Sequence, residues 1–92
     1  MTIGEFAEAV ATYCYLQGGS VTSWGRSRKH NHDVGGVPQS AHQYFRGADV
    51  VYDDKLLLVA NPGNVDVAAR LGLKLLAEGD HDHLQPMDWI KG

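Results

Sequence analysis

An amphipathic helix that stops at a double glycine sets much of what this chain can become. Thr2 and Glu5 stand three residues apart and have the form of a capping box. Ile3, Phe6, Ala7, Val10 and Cys14 then recur at helical spacing, which predicts a helix over residues 3–17 with one apolar face. Gly18-Gly19 ends it, and turn residues divide the rest. Ser20–Trp24 reads as a short strand, with Val21 and Ser23 on one face and Thr22 and Trp24 on the other. Ala48–Tyr52 is a β-branched strand, and Asp53-Asp54 turns into a further strand, Lys55–Ala60. Asn61-Pro62-Gly63-Asn64 is a turn whose last residue caps a helix through Leu71, ended by Gly72. Leu73–Ala77 and His81–Gln85 read as two strands joined across Glu78-Gly79-Asp80. Helices gathered on one side of a mainly antiparallel sheet make an α+β plan.

The 92 residues form one domain, 1–92, with no room for a second core. A chain of this size buries only roughly 60–65% of the surface its unfolded form exposes, so a bound metal would aid folding as well as chemistry. The formal net charge of −3 argues against nucleic acid as a partner. Arg26, Arg28, Lys29 and Arg46 are nevertheless close in sequence, which suits a small anionic ligand. Cys14, the one cysteine, excludes an intrachain disulfide and reads as a buried structural thiol. No apolar run reaches the roughly 20 residues of a membrane span. Glu5 and Glu8, without a basic start, do not make a signal peptide. The expectation is a cytoplasmic monomer, or one exported by something other than its own leader.

The chemistry concentrates in His42, Asp49, His81 and His83. Two imidazoles and a carboxylate are what a catalytic zinc needs when water takes its fourth position. His42 and Asp49 cannot share a metal along a helix, because seven residues rise about 10.5 Å. A turn around Phe45-Arg46-Gly47 must return Asp49 towards His42, and Gly47 is the residue expected to permit it. Asp49 opens an apolar strand, where a lone carboxylate is costly unless paired or ligating. His81 and His83, two apart, point to the same face of a strand, with Glu78 and Asp80 close by in sequence and Asp82 on the opposite face. Residues 25–38 read as a long loop; its His30-Asn31-His32-Asp33 run reads as solvated rather than metal-binding.

The segments Val21-Thr22-Ser23-Trp24-Gly25-Arg26-Ser27, Val34-Gly35-Gly36-Val37-Pro38-Gln39-Ser40-Ala41-His42 and Arg46-Gly47-Ala48-Asp49, with Asn31 between, resemble the zinc D-Ala-D-Ala carboxypeptidases. That superfamily includes the L-alanyl-D-glutamate endopeptidases of phage lysins and the signalling domain of hedgehog proteins. Its signature is serine, a histidine two residues on and an aspartate seven after that, then, far downstream, an acidic residue three before a histidine. Ser40, His42 and Asp49 match the first part, and Asp80 with His83 the second. The resemblance implies a hedgehog-like peptidase fold with one zinc held by His42, Asp49 and His83. It makes Asp80 the general base, His81 a transition-state partner and Arg26 the cation on the substrate side. Two positions depart from the pattern: Phe45 stands where the family has glycine, and Gly47 where it has alanine.

Within that reading, Glu78 is the second choice for the base and Arg28 for the cation. Ser40 either orients His42, contacts substrate or satisfies backbone as a turn hydroxyl. Trp24 lines the cleft or belongs to the core. The expected activity is zinc-dependent hydrolysis of a peptide bond in peptidoglycan stem peptides. The carboxypeptidase and endopeptidase types are equally compatible, a phage lysin among them. The alternatives are a catalytically inactive zinc-binding module and a phage structural component with the same fold.

Overall fold

The computed structural model describes residues 1–25, 45–53 and 61–88. Helix α1 spans Ile3–Gln17, as its spacing predicts. Its capping box is complete: the Thr2 side chain accepts from the Glu5 amide at 3.0 Å, and Glu5 Oε1 accepts from the Thr2 amide at 2.8 Å. Gly18 takes the left-handed conformation that closes the helix, and its N–H donates to the Cys14 carbonyl. Strand β1 follows at Gly19–Ser23, then β2 at Ala48–Tyr52, helix α2 at Pro62–Arg70, β3 at Leu73–Ala77 and β4 at Asp82–Pro86.

The second helix starts earlier than its sequence reading. Asn61, not Asn64, is the N-cap, accepting from the Gly63 amide, and Pro62 occupies the first turn. Proline fits there because its missing N–H would have had no intrahelical partner. Asn64 instead turns inward, buried, and accepts from Gln17 Nε2 at 2.6 Å, tying α2 to α1. The strand expected over Lys55–Ala60 lies outside the described residues.

The four strands form one antiparallel sheet in the order β1-β2-β4-β3. Both described helices feed a single core: Phe6, Val10 and Tyr13 from α1 and Ala68 from α2 meet Ala48, Val50, Tyr52, Leu73 and Leu84 of the sheet. This is an α+β domain. Because side chains alternate along a strand, burying Ala48, Val50 and Tyr52 turns Asp49 to the opposite face. In β4, Asp82 and Leu84 point into the core, so His83 and Gln85 share the face with Asp49.

The alternation predicted for the first strand breaks. The register shifts between Val21 and Ser23, a bulge facing Val50 and Asp49. The Thr22 hydroxyl donates to the Asp49 carbonyl across this irregularity, at 3.3 Å. Trp24 packs towards the core, its ring 5.2 Å from that of Phe6. A bulge increases local twist and re-aims side chains, and this one stands beside the acidic residue of interest. Cys14 is half-buried against the core, and burial pushes its thiol pKa up, as befits a structural thiol.

Candidate metal centre

Asp49 and His83 are direct partners across β2 and β4. Asp49 Oδ1 lies 3.1 Å from His83 Nδ1. Two donors on one tetrahedral zinc, with bonds of about 2.0–2.1 Å, stand about 3.3 Å apart. The contact between His83 and Asp49 is a hydrogen bond, and its length is also close to that donor spacing. The His83 imidazole is nearly buried, and Asp49 retains modest exposure, so the pair is shielded but reachable.

The β3–β4 hairpin adds two more groups. Gly79, at φ 86, permits a tight turn closed by a hydrogen bond from the Glu78 amide to the His81 carbonyl. Residues at the two ends of such a turn face each other, which sets Glu78 beside His81. His81 Nε2 lies 3.7 Å from Asp49 Oδ1 and 3.8 Å from Glu78 Oε1. Glu78 Oε1 is also 3.7 Å from His83 Nδ1. Asp49, Glu78 and His81 offer donor atoms all within 4.8 Å of one another, an arrangement that could hold a metal ion.

Asp80 occupies the tip of the turn. Its carboxylate is almost fully exposed and accepts from His81 Nδ1 at 2.7 Å. That hydrogen bond holds the Asp80 pKa below the usual carboxylate range and raises the pKa of His81. The structure thus sets Glu78, rather than Asp80, facing Asp49 and His83. Asp82 points the other way, as strand alternation requires, and is fully buried. The Tyr52 hydroxyl donates to Asp82 Oδ2 at 2.6 Å, and the Tyr13 hydroxyl is bonded in turn to that of Tyr52. Among the described residues, Asp82 Oδ1 has no hydrogen-bond partner.

Phe45 has φ 61, in the left-handed region that glycine adopts most freely. The turn before Asp49 is therefore made at Phe45 rather than at Gly47. A Cβ added to Gly25 would lie only 2.0 Å from Phe45 Cδ1, so the bare glycine makes room for the ring. Trp24 sides with the core, as its contact with Phe6 indicates.

Of the residues singled out from sequence, Asp49, His81 and His83 come together, with Asp80 attached from outside. Arg26, Arg28, Ser40 and His42 lie outside the described residues, as does the His30–Asp33 run. Two participants carried less weight in the sequence than in the fold. Glu78 faces the cluster because Gly79-Asp80 forms the centre of a tight turn, a pairing that the Glu-Gly-Asp-His string encodes. Gln85, two residues after His83 and on the same face, places Oε1 2.9 Å from His83 Nε2. An open groove lined by Met1, Glu5, Gly72, Met87 and Asp88 contains none of the cluster residues. No family model, no curated protein and no solved structure matches this chain.

Proposed function

We propose that this protein is a zinc-dependent peptidase acting on the stem peptides of bacterial peptidoglycan. The observation that carries the reading is the Asp49–His83 pair, opposed across the sheet with donor atoms 3.1 Å apart and flanked by Glu78 and His81. Asp49 and His83 would hold the metal, with His42 as the third ligand on the strength of the sequence resemblance. A zinc ion held by these residues would supply Lewis-acid polarisation and a water acidic enough to attack near neutral pH.

The chain's own groups divide the remaining work. Glu78 is the carboxylate positioned to accept a proton from the attacking water and return it to the departing amine. The motif assigns that task to Asp80, but Asp80 is engaged with His81 Nδ1 and points into solvent. Asp80 instead favours the protonated form of His81, a cation suited to charge that develops on the scissile carbonyl oxygen. Arg26 supplies the guanidinium for a substrate carboxylate, as the resemblance implies. Partial burial of the pair strengthens each of these interactions over its value in water.

Incubation of the zinc-loaded protein with purified peptidoglycan, followed by mass spectrometry of the released fragments, tests the proposal. New L-Ala or D-Ala termini that vanish with a chelator are expected. A protein that holds one zinc but releases nothing, with Glu78→Gln and Asp80→Asn equally inert, would instead be an inactive binding relative.

A further inference from the structure

We propose that Gln85 is a positioning residue for His83, holding its Nε2 so that Nδ1 faces a divalent cation together with Asp49. The inference rests on the metal reading above and specifies how the His83 ligand atom is chosen.

Imidazole has two nitrogens, and a metal takes the one that lacks a proton. His83 Nδ1 faces Asp49 Oδ1 at 3.1 Å, and Nε2 faces Gln85 Oε1 at 2.9 Å. Coordination through Nδ1 puts the ring proton on Nε2, where the Gln85 carbonyl oxygen accepts it. Without metal, Nδ1–H can donate to Asp49, and Nε2 then needs a donor. A rotated Gln85 amide would supply one, so Gln85 can serve the nearly buried ring in both states.

The fold keeps this partner in place. Residues 83 and 85 lie on the same face of β4, which is paired on both sides, with β2 and with β3. Lys74 sits directly opposite Gln85 in the β3–β4 ladder, so a carboxylate at position 85 would face a cation rather than an acid. Removing an outer partner of a metal-bound histidine typically weakens metal binding about 10–100-fold.

The test compares Zn2+ affinity, by competition with a chromophoric chelator, for wild type, Gln85→Leu, Gln85→Glu and His83→Ala. Long-range 1H–15N spectra of the zinc-loaded wild type report which His83 nitrogen carries the proton. Gln85→Leu should bind zinc about 10–100-fold more weakly while keeping its circular dichroism. Gln85→Glu should bind at least as tightly as wild type, and the spectra should place the proton on Nε2. Wild-type affinity in Gln85→Leu, or a proton retained on Nδ1 in the zinc form, overturns the role of Gln85. If wild type and His83→Ala bind zinc equally poorly, the metal reading falls and takes this inference with it. Tight wild-type binding, lost in His83→Ala but intact in Gln85→Leu, removes Gln85 alone.

Discussion

Glu78 and Asp80 are separated by one glycine, yet the turn gives them different surroundings. Glu78 faces Asp49, His81 and His83, while Asp80 reaches only the far nitrogen of His81 among the contacts that define the site. General acid–base groups typically contribute about 10²–10⁴-fold to a rate. Glu78→Gln should therefore lower kcat on a stem-peptide substrate by about that factor. Asp80→Asn should act more mildly, by loosening His81. The reverse ranking in steady-state kinetics would return the base to Asp80. At the turn before Asp49, Gly25 and Phe45 form a matched pair, since any Cβ at position 25 meets the ring. Gly25→Ala should destabilise the protein by about 1–3 kcal/mol, as overpacking does. Adding Phe45→Gly should restore part of that loss, because glycine removes the ring and also accepts the positive φ. Urea unfolding of the two single variants and the double variant measures the coupling, and strictly additive effects would contradict it.

At the level of elements, β4 carries two kinds of chemistry on its two faces. His83 and Gln85 lie on the same sheet face as Asp49, and on the core side Asp82 closes the chain that begins at Tyr13 and passes through Tyr52. The chain ties β4 to β2 and both to α1 directly behind the candidate centre. Tyr52→Phe removes the hydroxyl that donates to buried Asp82, and should cost about 1–3 kcal/mol in chemical unfolding. Burial is the first cause raising both tyrosine pKa values: Tyr13 is pushed up to about 12, and Tyr52 is raised further, also by its hydrogen bond to Asp82. A phenol in the unfolded chain ionises near about pH 10. Stability from this pair is therefore complete below that pH and falls as pH rises through about 10 towards 12 and beyond. Unfolding curves between pH 8 and 11.5 should show the decline, and Tyr13→Phe should flatten it. A wild-type stability that stays level over this range would contradict the linkage.

For the whole molecule, the bond between core size and metal binding sets the main expectation. On the proposed reading, zinc at about 100 times its dissociation constant would add about 2.7 kcal/mol to the folded state. In a domain of about 60–100 residues, each kcal/mol moves Tm by about 4–8 °C. Removing zinc with a chelator should therefore lower Tm by about 10–20 °C. An unchanged melting curve would mean that metal binding contributes nothing to the fold. Among the described residues, no helix is long and apolar enough to cross a membrane.

Local patterns carried much of the fold. The capping box, the apolar spacing and Gly18 determine α1, while β-branched residues mark β2 and the Glu78–His81 segment marks a turn. These features depend on neighbours within a few residues, so the sequence alone can express them. It also placed His81 and His83 on one face and turned Asp82 away, because side-chain alternation needs no tertiary knowledge. The sequence reading put the cap of α2 at Asn64, whereas Asn61 caps it with Pro62 in the first turn, and Asn64 is buried against Gln17. Strand order is different: β2 meets β4 through pairings that no local pattern specifies. Only that non-local register put Asp49 opposite His83, and only the bulge in β1 broke the expected alternation beside it. The sequence by itself determined which residues could bind a metal and which face of each strand they occupy. The tertiary structure decided which of them meet, because hydrogen-bonded register across the sheet, rather than proximity in the chain, fixes their separations.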